Sequence, residues 1–399
     1  MCSDFYDVCI IGASIAGNYL CSLIYKLNLK IALIEEHNVI GLPLQCAGIV
    51  SKKIAQLIEL PENLVLNRVK VARLVSPSGR SIKLSGNEEP YIIDRIGLDK
   101  YFFEILRTAP NVTLLQGERF KSFKYFKEGG KRFLSIITSK RNIRTKMIVA
   151  CDGPISTVAK NLHLKRDVLY AAQIRIKDNF NENEASLYFD PHWKELFGWI
   201  VPEGNKLYRI GLASKNNISK KFKQFLKRIN IQPSKKLSQQ GGIIPYDLKN
   251  KIAFNNILLL GDSACQVKST TGGGIIMLLT AAKYAAVCIK KCFEFGNFSK
   301  KFIKNTYEKQ CKVTIGNQLK IHFLIRKILE EFTEKDYDTF FKILEKNEIE
   351  KQISIYGDMD FPKEIAFKLL KNSTILKFFI KFFLLKPKLI IKLILIILI

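Results

Sequence analysis

A glycine-rich segment near the N-terminus, residues 12–17 (GASIAG), is the first feature whose residue types and spacing indicate chemistry. It follows an apolar run and precedes a stretch with helical periodicity, which is the setting in which such a segment binds a dinucleotide. Gly12 permits a sharp turn, Ser14 is small enough to admit a pyrophosphate, and Gly17 lets the helix pack on the strand. Ala16 lies in the same turn, and the positive end of the helix attracts phosphate charge.

Glu35 ends the next apolar run, 23 residues after Gly12. An acidic side chain at this place accepts hydrogen bonds from ribose hydroxyls and would repel a ribose phosphate. Together the glycine-rich segment and the acid predict a dinucleotide site, but they do not distinguish NAD from FAD.

The hydrophobic periodicity predicts the elements that must position this site. Residues 5–35 are typical of a strand, turn, helix and second strand, and alternating patterns further along predict many more strands. From about residue 274 the pattern is helical. We therefore expect an α/β protein: a Rossmann-like domain in 1–165 with a short strand insertion near 65–95, a β-rich domain in 166–250, a return to the first domain in 251–295, and a helical region in 296–399.

Composition sets limits on function. The 399 residues are 47% hydrophobic, enough for a core, and carry a formal net charge of +28. Such a charge favours anionic surfaces such as lipid head groups, nucleic acid or phosphorylated substrates, although biased codon usage gives the same excess of lysine. No nucleic-acid-binding module is recognisable, so we predict no nucleic-acid partner.

The nine cysteines lack the paired spacing of zinc or iron–sulfur ligands, so we predict no metal site. Reduced thiols fit a cytoplasmic protein. No basic segment with a cleavage site precedes the first strand, so we do not expect a secreted protein.

The last 25 residues combine lysines with a long apolar content. The spacing of Lys377, Lys381, Lys388 and Lys392 predicts that they share one helical face, and Pro387 should break or kink the helix. The charge-free run 393–399 is shorter than the roughly 20 residues that cross a bilayer. We expect this tail either to pack on the protein's own core or to lie on a membrane surface.

Three further segments resemble the para-hydroxybenzoate-hydroxylase-like flavoproteins, which bind FAD. Residues 151–156 (CDGPIS) resemble the Asp-Gly pair of that superfamily, residues 260–264 (LGDSA) its Gly-Asp pair, and residues 94–99 (DRIGLD) its arginine element. The resemblance implies an FAD-binding domain with an inserted antiparallel β-sheet substrate domain and a C-terminal helical region. The cofactor contacts that it implies are Arg95, Asp152, Gly153, Gly261, Asp262 and, at the start of a helix that faces the flavin, Gly273, Gly274 and Ile275.

Two more segments are similar to the geranylgeranyl reductase family in particular. Residues 41–48 (GLPLQCAG) resemble the stretch beside the isoalloxazine, which adds Cys46, Ala47 and Gly48 to the cofactor contacts. Residues 197–204 (FGWIVPEG) resemble the aromatic motif that lines the prenyl cavity, so the resemblance assigns to that cavity Phe197, Trp199, Val201 and Pro202. Phe197 and Val201 depart from the usual Tyr and Phe of the motif.

The resemblance implies an FAD-dependent reductase that saturates isolated double bonds of geranylgeranyl chains on membrane glycerophospholipids, with NADPH or a ferredoxin as electron donor. Cys46 is a candidate proton donor, and a water beside the flavin is the alternative. The implied partners are a prenyl lipid, the anionic inner face of the membrane and a redox protein. Two other functions stay open: a flavin monooxygenase or halogenase on the same fold, and a basic membrane-binding protein without activity.

Overall fold

The computed structural model describes residues 4–86, 89–248, 251–346 and 349–398. Its strands are β1 (Asp4–Ile11), β2 (Ile31–Glu35), β3 (Ile49–Val50), β4 (Val65–Arg68), β5 (Val71–Val75), β6 (Ser81–Leu84), β7 (Tyr91–Ile93), β8 (Val112–Gln116), β9 (Phe120–Glu128), β10 (Lys131–Thr138), β11 (Asn142–Ala150), β12 (Val168–Lys177), β13 (Glu184–Tyr188), β14 (Gly198–Gly204), β15 (Leu207–Ser214), β16 (Lys236–Pro245), β17 (Ala253–Phe254) and β18 (Ile257–Leu259).

The α-helices in the same ranges are α1 (Ile15–Ile24), α2 (Ile54–Leu57), α3 (Arg95–Arg107), α4 (Thr157–Asn161), α5 (Ile218–Arg228), α6 (Ile275–Glu294), α7 (Lys300–Ile303), α8 (Lys309–Cys311), α9 (Asn317–Leu329), α10 (Glu334–Lys346), α11 (Ile349–Tyr356), α12 (Lys363–Lys371), α13 (Ser373–Leu384) and α14 (Pro387–Leu398). Two π-helical turns, Lys304–Glu308 and Lys312–Gly316, connect α7, α8 and α9.

The first sheet has the order β17-β18-β11-β1-β2-β8, and its strands from β18 to β8 run parallel. Their near-continuous apolar sequences suit strands that are covered on both faces. Strands β9 and β10 extend the sheet as an antiparallel pair beside β11. Helices α1, α3 and α6 pack together beside this sheet. Because the carboxyl ends of parallel strands share one edge, the loops after β1, β2, β11 and β18 meet there.

The second sheet has seven strands in the order β16-β12-β15-β14-β13-β5-β6, antiparallel except for the pair β13 and β5. Strands β12 to β16 come from the region predicted as the substrate domain. Strands β5 and β6 differ from the expectation: their segment, which the sequence analysis assigned to a strand insertion of the first domain, completes the second sheet. Hydrophobic alternation identified these strands but does not say which sheet they join.

The C-terminal region is helical as predicted, and its tail forms two helices. Helix α13 ends at Leu384 and α14 begins at Pro387, which confirms the predicted break. The prediction that the four lysines share one helical face was therefore wrong, because Lys377 and Lys381 lie on α13 whereas Lys388 and Lys392 lie on α14. In the described ranges, each helix is too short or too polar to cross a membrane.

Candidate active site

A cleft of about 720 Å³ lies at the carboxyl edge of the parallel strands. It is lined by the loops after β1, β2, β11 and β18, by the start of α3 and by the end of β16. The three segments expected to converge on one cofactor, around Gly12, Asp152 and Asp262, all reach this cleft. The volume lies within the roughly 300–1,000 Å³ of known ligand sites.

The glycine-rich turn has the backbone geometry that a phosphate site needs. Gly12 has a φ of +99°, and a Cβ there would collide with the carbonyl oxygen of Cys151. A Cβ at Gly17 would collide with the carbonyl oxygen of Gly12, so α1 crosses β1 closely. Ser14 is the N-cap of α1, whose first turn has no acidic residue. The positive end of α1 borders the cleft at Ser14, Ile15 and Ala16, and the buried Asp99 carboxylate of α3 interacts with the Ile15 amide there.

Glu35 holds the turn to β2. Its Oε2 accepts a hydrogen bond from the Ala13 amide at 2.8 Å, and its Oε1 accepts one from the His37 amide at 2.9 Å. A carboxylate has about four acceptor positions, so a ribose hydroxyl can still bind there. The structure therefore gives Glu35 a second role, the support of the turn, that its spacing did not reveal.

Arg95 supplies an independent reason to expect an anionic or oxygen-rich ligand. The residue is 9% exposed, and its Nη2 lies 3.2 Å from Oδ1 of Asp99. Its Nε and Nη1 are buried and have no hydrogen-bond partner of ordinary geometry within the described part of the chain, although the guanidinium lies close to the Cys46 thiol. Burial would lower the pKa of Arg95, but Asp99, Cys46 and Asp262 raise it above its ordinary value, so the guanidinium stays charged. Buried donors of this kind normally have a partner, and FAD carries suitable acceptors.

Asp152 shapes the backbone rather than pointing at a ligand. Its carboxylate accepts hydrogen bonds from Oγ of Ser156 at 2.6 Å and from the Val158 amide at 3.0 Å. These bonds fix the turn that contains Gly153, which has a φ of +75° and open space where a Cβ would be. A ligand can therefore approach the backbone closely at Gly153.

Asp262 and the loop after it form the opposite wall. Burial raises the pKa of Asp262 to about 6, although Arg95 and Arg166 oppose the shift. Gly261, with a φ of +71°, makes the turn out of β18. Gly273 and Gly274 lead into α6, which starts at Ile275 and whose first turn has no acidic residue.

The C-terminal region clamps this loop, a role the sequence analysis missed. Lys268 is buried, and its Nζ donates a hydrogen bond to Oδ1 of Asp360 at 2.5 Å. Arg326 donates to the carbonyl oxygens of Ser269 and Thr270. Lys268 and Asp360 are 92 residues apart, so no local sequence pattern indicated that they pair.

Cys46 lies on the cleft, and it is the one cysteine in the described ranges that is not buried. Its Sγ accepts a hydrogen bond from the Gly48 amide at 3.3 Å. Ala47 and Gly48 face away from the cleft toward the second sheet, where the Ala47 carbonyl oxygen accepts a hydrogen bond from Arg209 at 2.9 Å.

The aromatic motif lies elsewhere than expected. Of the predicted cavity residues Phe197, Trp199, Val201 and Pro202, all within the described ranges, none lines the cleft. All four are buried; Trp199 and Val201, which alternate along β14, lie with Phe197 in a hydrophobic cluster on one face of the second sheet. The cleft is instead walled on this side by Ile243, Ile244 and Pro245 of β16, which sequence reasoning did not select.

The fold is shared with solved structures over most of the chain. A solved structure described as geranylgeranyl bacteriochlorophyll reductase-like, from Thermoplasma acidophilum, has a TM-score of 0.80 at 22% identity and covers 94% of this chain and 98% of its own. The p-nitrophenol 4-monooxygenase of Pseudomonas putida has a TM-score of 0.68 at 14% identity, covering 88% of this chain and 97% of its own.

Two archaeal proteins are similar to this chain in sequence over most of its length. An uncharacterized protein of Methanocaldococcus jannaschii is 29% identical over 93% of this chain and 96% of its own length. The digeranylgeranylglycerophospholipid reductase 1 of Methanococcoides burtonii is 25% identical over 84% of this chain and 86% of its own length. No family model matches the chain. These relatives confirm the predicted resemblance to the geranylgeranyl reductase family.

Proposed function

We propose that this protein is an FAD-dependent reductase that saturates isolated double bonds of geranylgeranyl chains on membrane glycerophospholipids. The observation that carries the proposal is the composition of one cleft. It has a phosphate-binding turn and a ribose-binding acid at one end, and a thiol beside apolar walls at the other. The relatives named as digeranylgeranylglycerophospholipid reductases support the substrate class.

The residues in the cleft fit FAD. The pyrophosphate is assigned to the turn at Gly12 and Ser14, the ribose of the adenosine to Glu35, and a ribityl hydroxyl to Asp262. The N-terminal end of α6, which lines the cleft at Gly274 and Ile275, would stabilise negative charge on a bound flavin. Bound FAD would supply the hydride that adds to one carbon of the alkene.

The protein must deliver a proton to the other carbon, because an isolated alkene is not polarised. Cys46 is our candidate, since this partly exposed cysteine lines the cleft. The Gly48 amide donates to that sulfur and would stabilise the thiolate that remains. Ile244 and Val267 contribute the apolar wall that excludes water and aligns the chain.

The decisive experiment is anaerobic. The purified flavoprotein is reduced with dithionite, and its flavin spectrum is followed after addition of a geranylgeranyl lipid. We expect the lipid to reoxidise the flavin without oxygen, whereas the fully saturated lipid, the matched control, leaves it reduced. A flavin that stays reduced with both lipids would exclude this function.

A monooxygenase is the second candidate, because the fold is also that of p-nitrophenol 4-monooxygenase. It predicts oxygen consumption that depends on NADPH and an aromatic substrate. The electron donor of the reductase is proposed to be NADPH or a ferredoxin, and the rate of flavin reduction by each distinguishes them.

We also propose that the protein acts in the cytoplasm at the inner face of the membrane. Residues 363–399 carry eight lysines and one glutamate, a net charge of +7. Large apolar side chains of this segment are exposed to solvent: Leu384 by 75%, Leu385 by 73% and Ile391 by 61%. Exposed apolar groups beside lysines suit an anionic lipid surface.

A further inference from the structure

The segment that carries Cys46 is held in place by side chains of the second sheet. The carbonyl oxygen of Cys46 lies 3.3 Å from Nε2 of Gln240 and 3.5 Å from Nε2 of Gln173. The next carbonyl oxygen, that of Ala47, accepts the hydrogen bond from Nη1 of Arg209. These three donors stand on the adjacent strands β16, β12 and β15.

Two of these donors belong to one row of residues across the sheet. In the strand register, Trp199 lies opposite Gly211, Gly211 opposite Gln173, and Gln173 opposite Gln240. Residues that are directly opposite share a face of the sheet. The row therefore runs from Trp199 on β14 to Gln240 on β16 and ends beneath the Cys46 carbonyl.

Trp199 orients the amide of Gln173. Its Nε1 donates to Oε1 of Gln173 at 2.8 Å, which leaves Nε2 of the same amide directed toward the Cys46 carbonyl. The indole can reach Gln173 only because Gly211 lies between them, where a Cβ would collide with the Trp199 ring. The buried indole and amide thus satisfy each other, as buried polar groups must.

Arg209, which is buried, is fixed by an ion triad with Glu203 and the partly exposed Arg175. Its Nη2 lies 3.1 Å from Oε1 of Glu203, and Glu203 also accepts a hydrogen bond from Nε of Arg175 at 2.7 Å. Burial would raise the pKa of Glu203, but the two arginines lower it below its ordinary value, so the Glu203 carboxylate stays ionised. At Gly48, which has a φ of +79°, a Cβ would collide with Nη1 of Arg209. Glycine at this position therefore permits the approach.

We propose that Trp199, Gln173 and Arg209 are positioning residues that set the location of the Cys46 thiol in the cleft. This gives Trp199 a role different from the substrate wall that its motif predicted. A role of this thiol position in proton delivery rests on the proposed function. The accessibility of the thiol can be measured without turnover.

The test uses alkylation of Cys46 by iodoacetamide in the FAD-loaded protein. A Cys2→Ser background removes a thiol that lies outside the described residues. Trp199→Phe deletes the indole N–H while keeping an aromatic ring, and Gln173→Leu deletes the amide at similar volume. We expect each variant to raise the alkylation rate about fivefold, because each removes a neutral hydrogen bond from the network that holds the segment of Cys46. FAD content and the unfolding midpoint verify that each variant is folded.

Trp193→Phe is the matched control. The Trp193 indole donates to the carbonyl oxygen of Tyr188 and packs in the cluster with α5, away from Cys46. We expect the control to alkylate at the parental rate. Parental rates in folded Trp199→Phe and Gln173→Leu as well would overturn the positioning role.

Turnover provides a second readout that separates positioning from substrate contact. With reduced flavin and lipid, Trp199→Phe should slow reoxidation at saturating lipid and leave the half-saturating lipid concentration unchanged. A raised half-saturating concentration with an unchanged maximal rate would instead make Trp199 a substrate wall. If the parental protein is not reoxidised by lipid, the proposed function fails, while the alkylation rates still decide the positioning role.

Discussion

Replacing Asp262 with asparagine should stabilise the flavin-free protein while weakening its hold on FAD. Burial raises the pKa of the Asp262 carboxyl from 3.8 to about 6, so the native state binds this proton more tightly than the unfolded chain. Above pH 6 the ionised carboxylate therefore lowers the free energy of unfolding by its full amount, and this destabilisation decreases as the pH falls toward 3.8. At about 1.36 kcal/mol per pKa unit, the cost at pH 8 is at most about 3 kcal/mol.

Urea unfolding of flavin-free Asp262→Asn measures this cost. We expect the free energy of unfolding to rise by up to about 3 kcal/mol at pH 8 and by roughly 1 kcal/mol at pH 4.5. FAD affinity at pH 8 should fall about fivefold, because a charged acceptor for the ribityl hydroxyl becomes neutral. An equal loss of stability at both pH values would refute the reasoning.

Asp338→Asn is the control of opposite sign. Asp338 accepts hydrogen bonds from Oγ of Ser76 at 2.6 Å and of Ser78 at 2.7 Å. Burial would raise the pKa of Asp338, but these bonds lower it below its ordinary value. A carboxyl whose pKa is lower in the folded state stabilises the protein at every pH above its pKa in the unfolded chain. This stabilisation is lost as the pH falls through the pKa of the folded state. This variant should therefore be less stable than the parent at pH 8, and the difference should shrink in acid.

The remaining predictions concern the turn, the clamp and the tail. Gly17→Ala should abolish FAD retention on gel filtration, because the new Cβ collides with the carbonyl oxygen of Gly12; retained yellow colour would contradict this. Lys268→Met removes the nearest cation of the buried Asp360 carboxylate and leaves it Lys53 at 3.8 Å and the Ser51 hydroxyl, so urea unfolding should show a loss of about 3 kcal/mol. The double variant with Asp360→Leu should recover much of that loss, and a double variant no more stable than the single one would refute the cause. Deletion of the residues after Thr374 should reduce sedimentation with anionic vesicles at low salt without loss of FAD; undiminished sedimentation at low and high salt would exclude the tail as the membrane contact.

Features that depend on neighbours along the chain could be predicted. The turn at Gly12, the strand before Asp262 and the helix break at Pro387 follow from local backbone preferences, which residues close in sequence encode. The resemblance to a flavoprotein family added Arg95 and Asp152, and the structure brings both to the same cleft as the glycine-rich turn.

Only the tertiary structure decided how distant segments meet. Hydrophobic alternation marked β5 as a strand, but its partner β13 lies more than 100 residues away. The same alternation placed Trp199 and Val201 on one face of β14 without revealing that this face is buried behind the cleft. The bond from Arg209 to Ala47 spans 162 residues, and that from Lys268 to Asp360 spans 92. Such contacts depend on how the packed sheets and helices close against one another, and this free energy is shared among many side chains rather than encoded in a local pattern.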